Sequence, residues 1–286
     1  MSPTAGLYGI FGHPIAHSLS PDIHNAWFRQ HGIDARYERF DVPPDRLREE
    51  LLAAKDRGVL GLNITVPHKQ AALETPGLID LLDTTVRRIG AVNTVVRRGD
   101  EFVGYNTDAA GFVLPLKELG VAFEGTHALI VGAGGAARAI AFGLADAGAT
   151  QLTILNRTGG HARALAESGA MATGQRVTCV ATEWNGGPID PAAIGAALVV
   201  HTTTLGMSGK SDSPRLKGDL HGIAVVDIVY RPLETALLIQ AKSLGATVYD
   251  GLLMLAGQAA LSFELWTGIR PQWRSAYESL KQVLSE

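Results

Sequence analysis

Apolar and polar positions follow one another in blocks along this chain, and the blocks become regular from residue 127. The runs His127-Ala-Leu-Ile-Val131, Leu152-Thr-Ile-Leu155, Leu198-Val-Val-His201, Ala224-Val-Val-Asp227 and Thr247-Val-Tyr249 are short and almost wholly apolar. Longer segments separate them. Strands without a polar face are buried on both sides, and their alternation with helices predicts a parallel sheet. Val177-Thr-Cys-Val-Ala181 reads as one more buried strand. Earlier in the chain the pattern predicts strands at Leu7–Phe11 and Tyr37–Asp41. It also predicts an apolar strand from Gly61 running into Pro67, and a hairpin of Gly90–Val96 with Glu101–Tyr105 through Arg98-Gly99-Asp100. Helices are expected from Ser20, which should cap with Pro21 at the first position, and over Pro44–Arg57, with Leu47, Leu51 and Leu52 on one face. Further helices are expected at Leu78–Ile89, at Gly111–Leu119 with Asp108 near its start, after Gly251, and at Gln272–Leu284. Ser208 to Ser213 reads as a mobile loop.

One junction in this pattern carries chemistry. The run ending at Val131 meets Gly132-Ala133-Gly134-Gly135-Ala136-Ala137-Arg138, and an alanine-rich segment follows to Gly148. Gly132 allows a sharp turn, Gly134 lets a phosphate approach the backbone, and Ala137 lets the helix pack on the strand. The free N–H groups of the helix start then face a pyrophosphate. The glycine spacing alone is weak evidence, but both flanks and the following strand fit a dinucleotide-binding βαβ unit.

The composition narrows the classes. The chain has 286 residues, 46% hydrophobic and 19% charged, with a formal net charge of −3. That is room for two domains, and without a basic block nothing suggests a nucleic-acid or membrane partner. No run is long enough to span a bilayer and no signal pattern opens the chain, so a cytoplasmic location is expected. The single cysteine, Cys179, fits a reducing compartment. His13 and His17 have the helical spacing of a metal pair, but Pro14 between them argues against a helix, and no metal site is expected.

Several polar residues collect where strands end, which is where ligands bind in open α/β sheets. Ser18 and Ser20 sit at a strand-to-helix junction and suit a small carboxylate, or simply turn and cap the chain. Asn63, Thr65 and Lys69 cluster after the third strand. Gln258 lies in a helix apolar on most sides, so its amide needs partners. The strand ending Leu155-Asn156-Arg157-Thr158 has no acid for a ribose 2′-hydroxyl. Arg157 would instead attract a 2′-phosphate, so NADP is the expected cofactor.

Taken together, these segments resemble shikimate dehydrogenase. The matching pieces are Ser18-Leu-Ser20-Pro21, Asn63-Ile-Thr65-Val-Pro67-His68-Lys69, Gly90-Ala-Val-Asn93-Thr94, Gly104-Tyr-Asn106-Thr107-Asp108, the Gly132–Ala136 turn, Asn156-Arg157-Thr158, and Gly251 through Gln258. They keep the family's order over nearly the whole chain. The resemblance implies an N-terminal α/β substrate domain (1–110, completed by helices in 251–286) and a Rossmann-type, doubly wound parallel-sheet NADP domain (111–250), with the reaction in the cleft between them. It implies reversible, NADPH-dependent reduction of 3-dehydroshikimate to shikimate by an enzyme that is a monomer or homodimer.

By the same resemblance, Lys69 and Asp108 form the acid/base pair. Ser18 and Ser20 hold the substrate carboxylate with help from Tyr230, and Thr65, Asn93, Asp108 and Gln258 hold ring hydroxyls. The cofactor would meet Gly132, Ala133, Gly134, Gly135, Ala136, Asn156, Arg157, Thr158, His161, Thr203, Ile228 and Gly251. Two positions depart from the family pattern. His201 stands where asparagine is common and could alter the floor of the nicotinamide pocket. His161 stands where a second basic side chain is frequent. Two other readings stay open: a quinate or quinate/shikimate dehydrogenase using NAD(P), and a nucleotide-sensing paralogue without turnover. Retention of both Lys69 and Asp108 argues against the second.

Overall fold

The computed structural model describes residues 5–172, 177–207 and 213–285. The loop expected at 208–213 lies outside these residues except for Ser213. The chain divides into two compact units, Met1–Gly111 with Gln258–Ala276, and Phe112–Gly257 with Tyr277–Glu286.

In the first unit the elements run β1 (Gly6–Gly12), α1 (Ser20–Gln30), β2 (Ala35–Asp41), α2 (Leu47–Asp56), β3 (Gly61–Ile64), α3 (His68–Glu74), β4 (Leu81–Leu82), α4 (Thr84–Ile89), β5 (Thr94–Arg98), β6 (Glu101–Tyr105) and α5 (Asp108–Glu118), the last of which continues into the second unit. The sheet order is β2-β1-β3-β5-β6-β4. β1 is parallel to β2 and β3, whereas β5 is antiparallel to both β3 and β6. Its core gathers Phe11, Leu47, Leu51, Leu62, Ile64, Val95 and Phe102.

Several local expectations are corrected here. Ser20 does not cap α1: Leu19 holds the cap position without a side-chain bond, and the Ser18 hydroxyl accepts the Ser20 N–H at 3.3 Å. Leu52 is exposed, and Ala54 takes the third buried position of α2, because the buried face follows the i, i+4, i+7 spacing Leu47, Leu51, Ala54, which turns Leu52 away from it. The helix expected over Leu78–Ile89 is confined to Thr84–Ile89. The Asp80 carboxylate accepts the Phe102 N–H at 2.6 Å, which ties this segment to β6, and Asp83 caps the helix through the Thr85 N–H at 2.8 Å. The first hairpin strand begins at Thr94 rather than Gly90, since Gly90 closes α4 in the left-handed region with φ 71°.

The second unit contains β7 (His127–Val131), α6 (Gly135–Asp146), β8 (Gln151–Asn156), α7 (Gly159–Ala172), β9 (Thr178–Glu183), β10 (Leu198–His201), β11 (Ala224–Asp227), α8 (Ala236–Ser243) and β12 (Thr247–Tyr249). Then come α9 (Leu252–Thr267) and α10 (Trp273–Ser285), both shared with the first unit. The sheet is wholly parallel in the order β12-β11-β10-β7-β8-β9. That is the doubly wound arrangement, with its topological switch between β7 and β10. β9, however, is an edge strand with mostly exposed side chains, so Cys179 is only partly buried. Partial burial still pushes the Cys179 thiol above its ordinary range. No helix among the described residues is long and apolar enough to cross a membrane.

Candidate active site and cofactor cavity

The sequence folds a polar cluster into the first unit at the ends of β3, β5 and β6. After β6 the chain turns through Asn106, whose side-chain oxygen accepts the backbone N–H of Asp108 at 3.1 Å and of Ala109 at 3.4 Å. Asn106 therefore caps α5, which begins at Asp108 rather than at Gly111, and the Asp108 carboxylate is released for other work. One oxygen accepts the Lys69 ammonium at 2.5 Å and the other accepts the Asn93 amide at 2.8 Å. The Lys69 and Asp108 side chains are 14% and 4% exposed. A pair this dry persists only with its remaining lone pairs satisfied, which is what Asn93 provides. Lys69 is placed by α3, and its carbonyl accepts the Val92 N–H at 2.9 Å beside Asn93.

Behind this pair a buried hydroxyl–amide network fixes Asn93. Its side-chain oxygen accepts the Thr107 N–H at 2.7 Å, and its amide also donates to the Thr107 hydroxyl at 2.9 Å. Ser262, wholly buried, bonds Thr94 at 2.9 Å, Thr107 at 3.0 Å and the Asn63 amide at 3.0 Å. The Tyr37 phenol donates to Asn63 at 2.7 Å, and the Ser20 hydroxyl lies against that phenol. Burial pushes Tyr37 well above its ordinary titration range, so it stays a neutral donor. The network thus runs from Ser20 to Asp108. Neither Ser262 nor Tyr37 was singled out in the sequence; the only signal for Ser262 is a hydroxyl amid the apolar residues of α9. Arg39 is a third such residue. Its guanidinium donates to the Ser18 carbonyl at 2.9 and 2.5 Å and so holds the serine loop.

The other expected substrate residues fall as follows. Thr65 is half-buried, with its methyl where a side chain on Gly12 would lie. Gln258 is buried on α9, and a Cβ on Gly111 would fall on the Gln258 backbone, so α9 lies directly on the helix that begins at Asp108. Tyr230 belongs to the second unit and is half-buried.

In the second unit a cavity of about 1180 Å³ opens at the carboxyl ends of the strands. Gly132, Asn156, Arg157 and Thr203 line it, together with Glu183, Trp184 and Arg215, which the sequence did not point to. Gly132 adopts φ 122°, and a Cβ there would strike the Thr202 hydroxyl, so only glycine fits this turn. A Cβ on Gly134 would meet nothing, and α6 starts without a side-chain cap. Uncapped N–H groups beside open space, with an arginine at the end of β8, fit a dinucleotide bearing a 2′-phosphate. Ala133, Gly135 and Ala136 belong to the same turn. Ile228 and Gly251 lie together, since a Cβ on Gly251 would fall on the Ile228 carbonyl. Thr158 and His161 are exposed and are not among the described residues that line this cavity.

Comparisons with known proteins agree with this geometry. The shikimate dehydrogenase substrate binding domain matches residues 10–95, shikimate/quinate 5-dehydrogenase matches 115–180, and the shikimate 5′-dehydrogenase C-terminal domain matches 251–273. The shikimate dehydrogenase (NADP(+)) of Symbiobacterium thermophilum is 44% identical over 267 residues, 92% of this chain and 90% of the relative. The structure of shikimate 5-dehydrogenase from Thermus thermophilus, in complex with NADP(H) and shikimate, matches with a TM-score of 0.85 at 38% identity, over 98% of this chain and 100% of that one. Quinate dehydrogenase from Corynebacterium glutamicum, in complex with NAD, matches with a TM-score of 0.85 at 32% identity, over 97% and 99%.

Proposed function

We propose residue roles for this chain from the premise that it belongs to the shikimate dehydrogenase family. It is an NADP-dependent oxidoreductase that interconverts 3-dehydroshikimate and shikimate. The observation that carries the roles is the buried Lys69–Asp108 pair, joined at 2.5 Å.

NADPH, when bound, supplies the hydride. This chain's residues do the rest. Reduction of the C3 carbonyl builds negative charge on its oxygen, and Lys69 stabilises that charge and gives it a proton. In the reverse direction Lys69 takes the proton back. Asp108 aims the ammonium, and Asn93 aims Asp108. Asn93, Thr65 and Gln258 hold ring hydroxyls, and Tyr230 assists at the carboxylate. A spectrophotometric assay of shikimate and quinate, each with NADP and NAD, tests the reading. Turnover of shikimate with NADP supports it, and turnover of quinate with NAD alone would overturn it.

Ser18 and Ser20 bind the substrate carboxylate. Ser20 has no capping duty and both serines are held by other groups, so their hydroxyls are preset rather than recruited. Each should contribute about 1.5–3 kcal/mol, the range for a hydrogen bond to a charged group. The double alanine variant should lose its preference for shikimate over shikimate methyl ester. Undiminished discrimination would mean that the serines only shape the turn.

Arg157 binds the 2′-phosphate, and Arg215, on the wall of the same cavity, adds a second positive charge. Arg157→Ala should weaken NADP by about 1.5–3 kcal/mol and leave NAD nearly unchanged. His161→Gln should leave the NADP-to-NAD ratio where it was if Arg215 takes the role of second cation. A fall in that ratio on His161→Gln, with none on Arg215→Gln, would return the role to His161.

A further inference from the structure

His201 closes β10 opposite Asp227 on β11 and Val131 on β7. His201, Asp227 and Thr235 are all fully buried. The Asp227 carboxylate accepts from His201 Nδ1 at 2.9 Å, from the Val229 N–H at 3.0 Å and from the Thr235 hydroxyl at 2.7 Å. Thr235 in turn caps α8, accepting the Leu238 N–H at 3.3 Å. On the far side of the imidazole, Nε2 meets the Thr203 hydroxyl at 2.5 Å, and Thr203 Oγ1 also accepts the Leu205 N–H at 3.2 Å. Thr203 lines the cofactor cavity. A polar chain therefore crosses the end of the sheet from the cap of α8 to the cavity wall.

We infer that His201 is a positioning residue for the cofactor: anchored by Asp227, it accepts the hydrogen bond of the Thr203 hydroxyl and leaves Thr203 facing the cavity as a hydrogen-bond acceptor only. The steps are chemical. A carboxylate already accepting from a backbone N–H and a hydroxyl has no proton to give, so His201 Nδ1 must donate. In the neutral ring Nε2 is then the acceptor. The Thr203 hydroxyl has one O–H to donate, and it donates to Nε2. What remains toward the cavity is oxygen lone-pair density, which suits an N–H or O–H donor of the dinucleotide.

The same chain holds the cavity's two walls in register. Thr202 donates to the Val131 carbonyl from its backbone N–H at 2.9 Å and from its hydroxyl at 2.9 Å, directly beside the Gly132 turn. Asparagine could not bridge Asp227 and Thr203 in this way. Its donor and acceptor share one end of a short side chain, whereas the imidazole nitrogens serve opposite sides of a ring.

The inference rests on the cofactor reading above, and its test separates the two. His201→Asn, Thr203→Val and the double variant are compared for NADP dissociation by titration and for KM of shikimate. Nitrogen-15 spectra of the histidines are taken on the unaltered protein and on Thr203→Val. Each single substitution should weaken NADP by about tenfold, 1.4 kcal/mol, with KM for shikimate unmoved, and the double variant should be no worse than the worse single one. The spectra should show His201 with a proton on Nδ1 and a bare Nε2, whose resonance shifts on Thr203→Val. A bare Nδ1, additive losses, or unchanged NADP affinity in a folded His201→Asn would each overturn the inference. Should His201→Asn fail to fold, the spectra and Thr203→Val still decide. Failure of the unaltered protein to bind NADP would sink the cofactor reading, while the spectra would still report on the network.

Discussion

Lys69→Ala is expected to lower kcat by about 10²–10⁴-fold, the scale of a lost general acid–base group, while KM for shikimate moves far less. The proton donor is needed most when charge has built up on the reacting oxygen, so its loss is felt in the transition state more than in the ground state. The geometry sharpens this. The ammonium is held at 2.5 Å by a carboxylate that Asn93 steadies from the other side, so orientation is settled before substrate arrives. The same geometry sets a control. Removing Lys69 leaves the buried Asp108 carboxylate without its cation, a change that can cost about 3–5 kcal/mol of stability. Melting curves must therefore accompany the kinetics. A folded Lys69→Ala with normal kcat and only a raised KM would remove Lys69 from the chemistry.

The second unit was legible in the sequence because its strands are covered on both faces. Continuous apolar runs such as Ala128–Val131 and Leu198–Val200 leave one reading for the sheet, and Gly132 marks the turn. β9 shows where that logic fails. Val177-Thr-Cys-Val-Ala181 looks as apolar as its neighbours, yet an edge position leaves Thr178 and Val180 exposed and Cys179 and Ala181 only partly buried. In the first unit, pattern misled at Leu78–Ile89, where Asp80 and Asp83 look like polar helix positions. Asp80 instead accepts from the Phe102 N–H and from Lys55, and Asp83 starts a later helix. Which backbone group a carboxylate finds is tertiary information. The site divides the same way. Lys69, Asp108 and Asn93 could be named from motifs, but Ser262 bonds Asn63 across 199 positions of sequence, and no local spacing announces that. Asp227 was visible only as the polar end of an apolar strand and His201 also as a departure from the family pattern, while their pairing follows from the β10–β11 register.

Stability should fall with acid through His24, and His24→Phe should remove that part of the fall. His24 sits on α1 with no exposed surface, stacked on Tyr37 at 4.5 Å and close to Trp27, Phe263 and Trp266. Neither ring nitrogen has a hydrogen-bond partner among the described residues. Burial lowers its pKa from 6.5 to about 3; Asn63, whose side-chain oxygen already accepts the Tyr37 phenol, opposes this. Above 6.5 both folded and unfolded chains carry a neutral ring, and the group is indifferent to pH. Below 6.5 the unfolded chain takes up a proton that the folded chain refuses until about 3, so stability is lost as pH falls across that window. One such proton corresponds to about 1.4 kcal/mol per pH unit. His68 and His127 are also lowered by burial and act in the same direction, so the difference between wild type and His24→Phe is the quantity to read. Phenylalanine keeps the stacking and carries no unpaired nitrogen. Any cost of its extra volume is independent of pH and leaves the slope untouched. Urea unfolding at several pH values across the window measures the two slopes. Equal slopes would show that His24 is not the buried neutral group described.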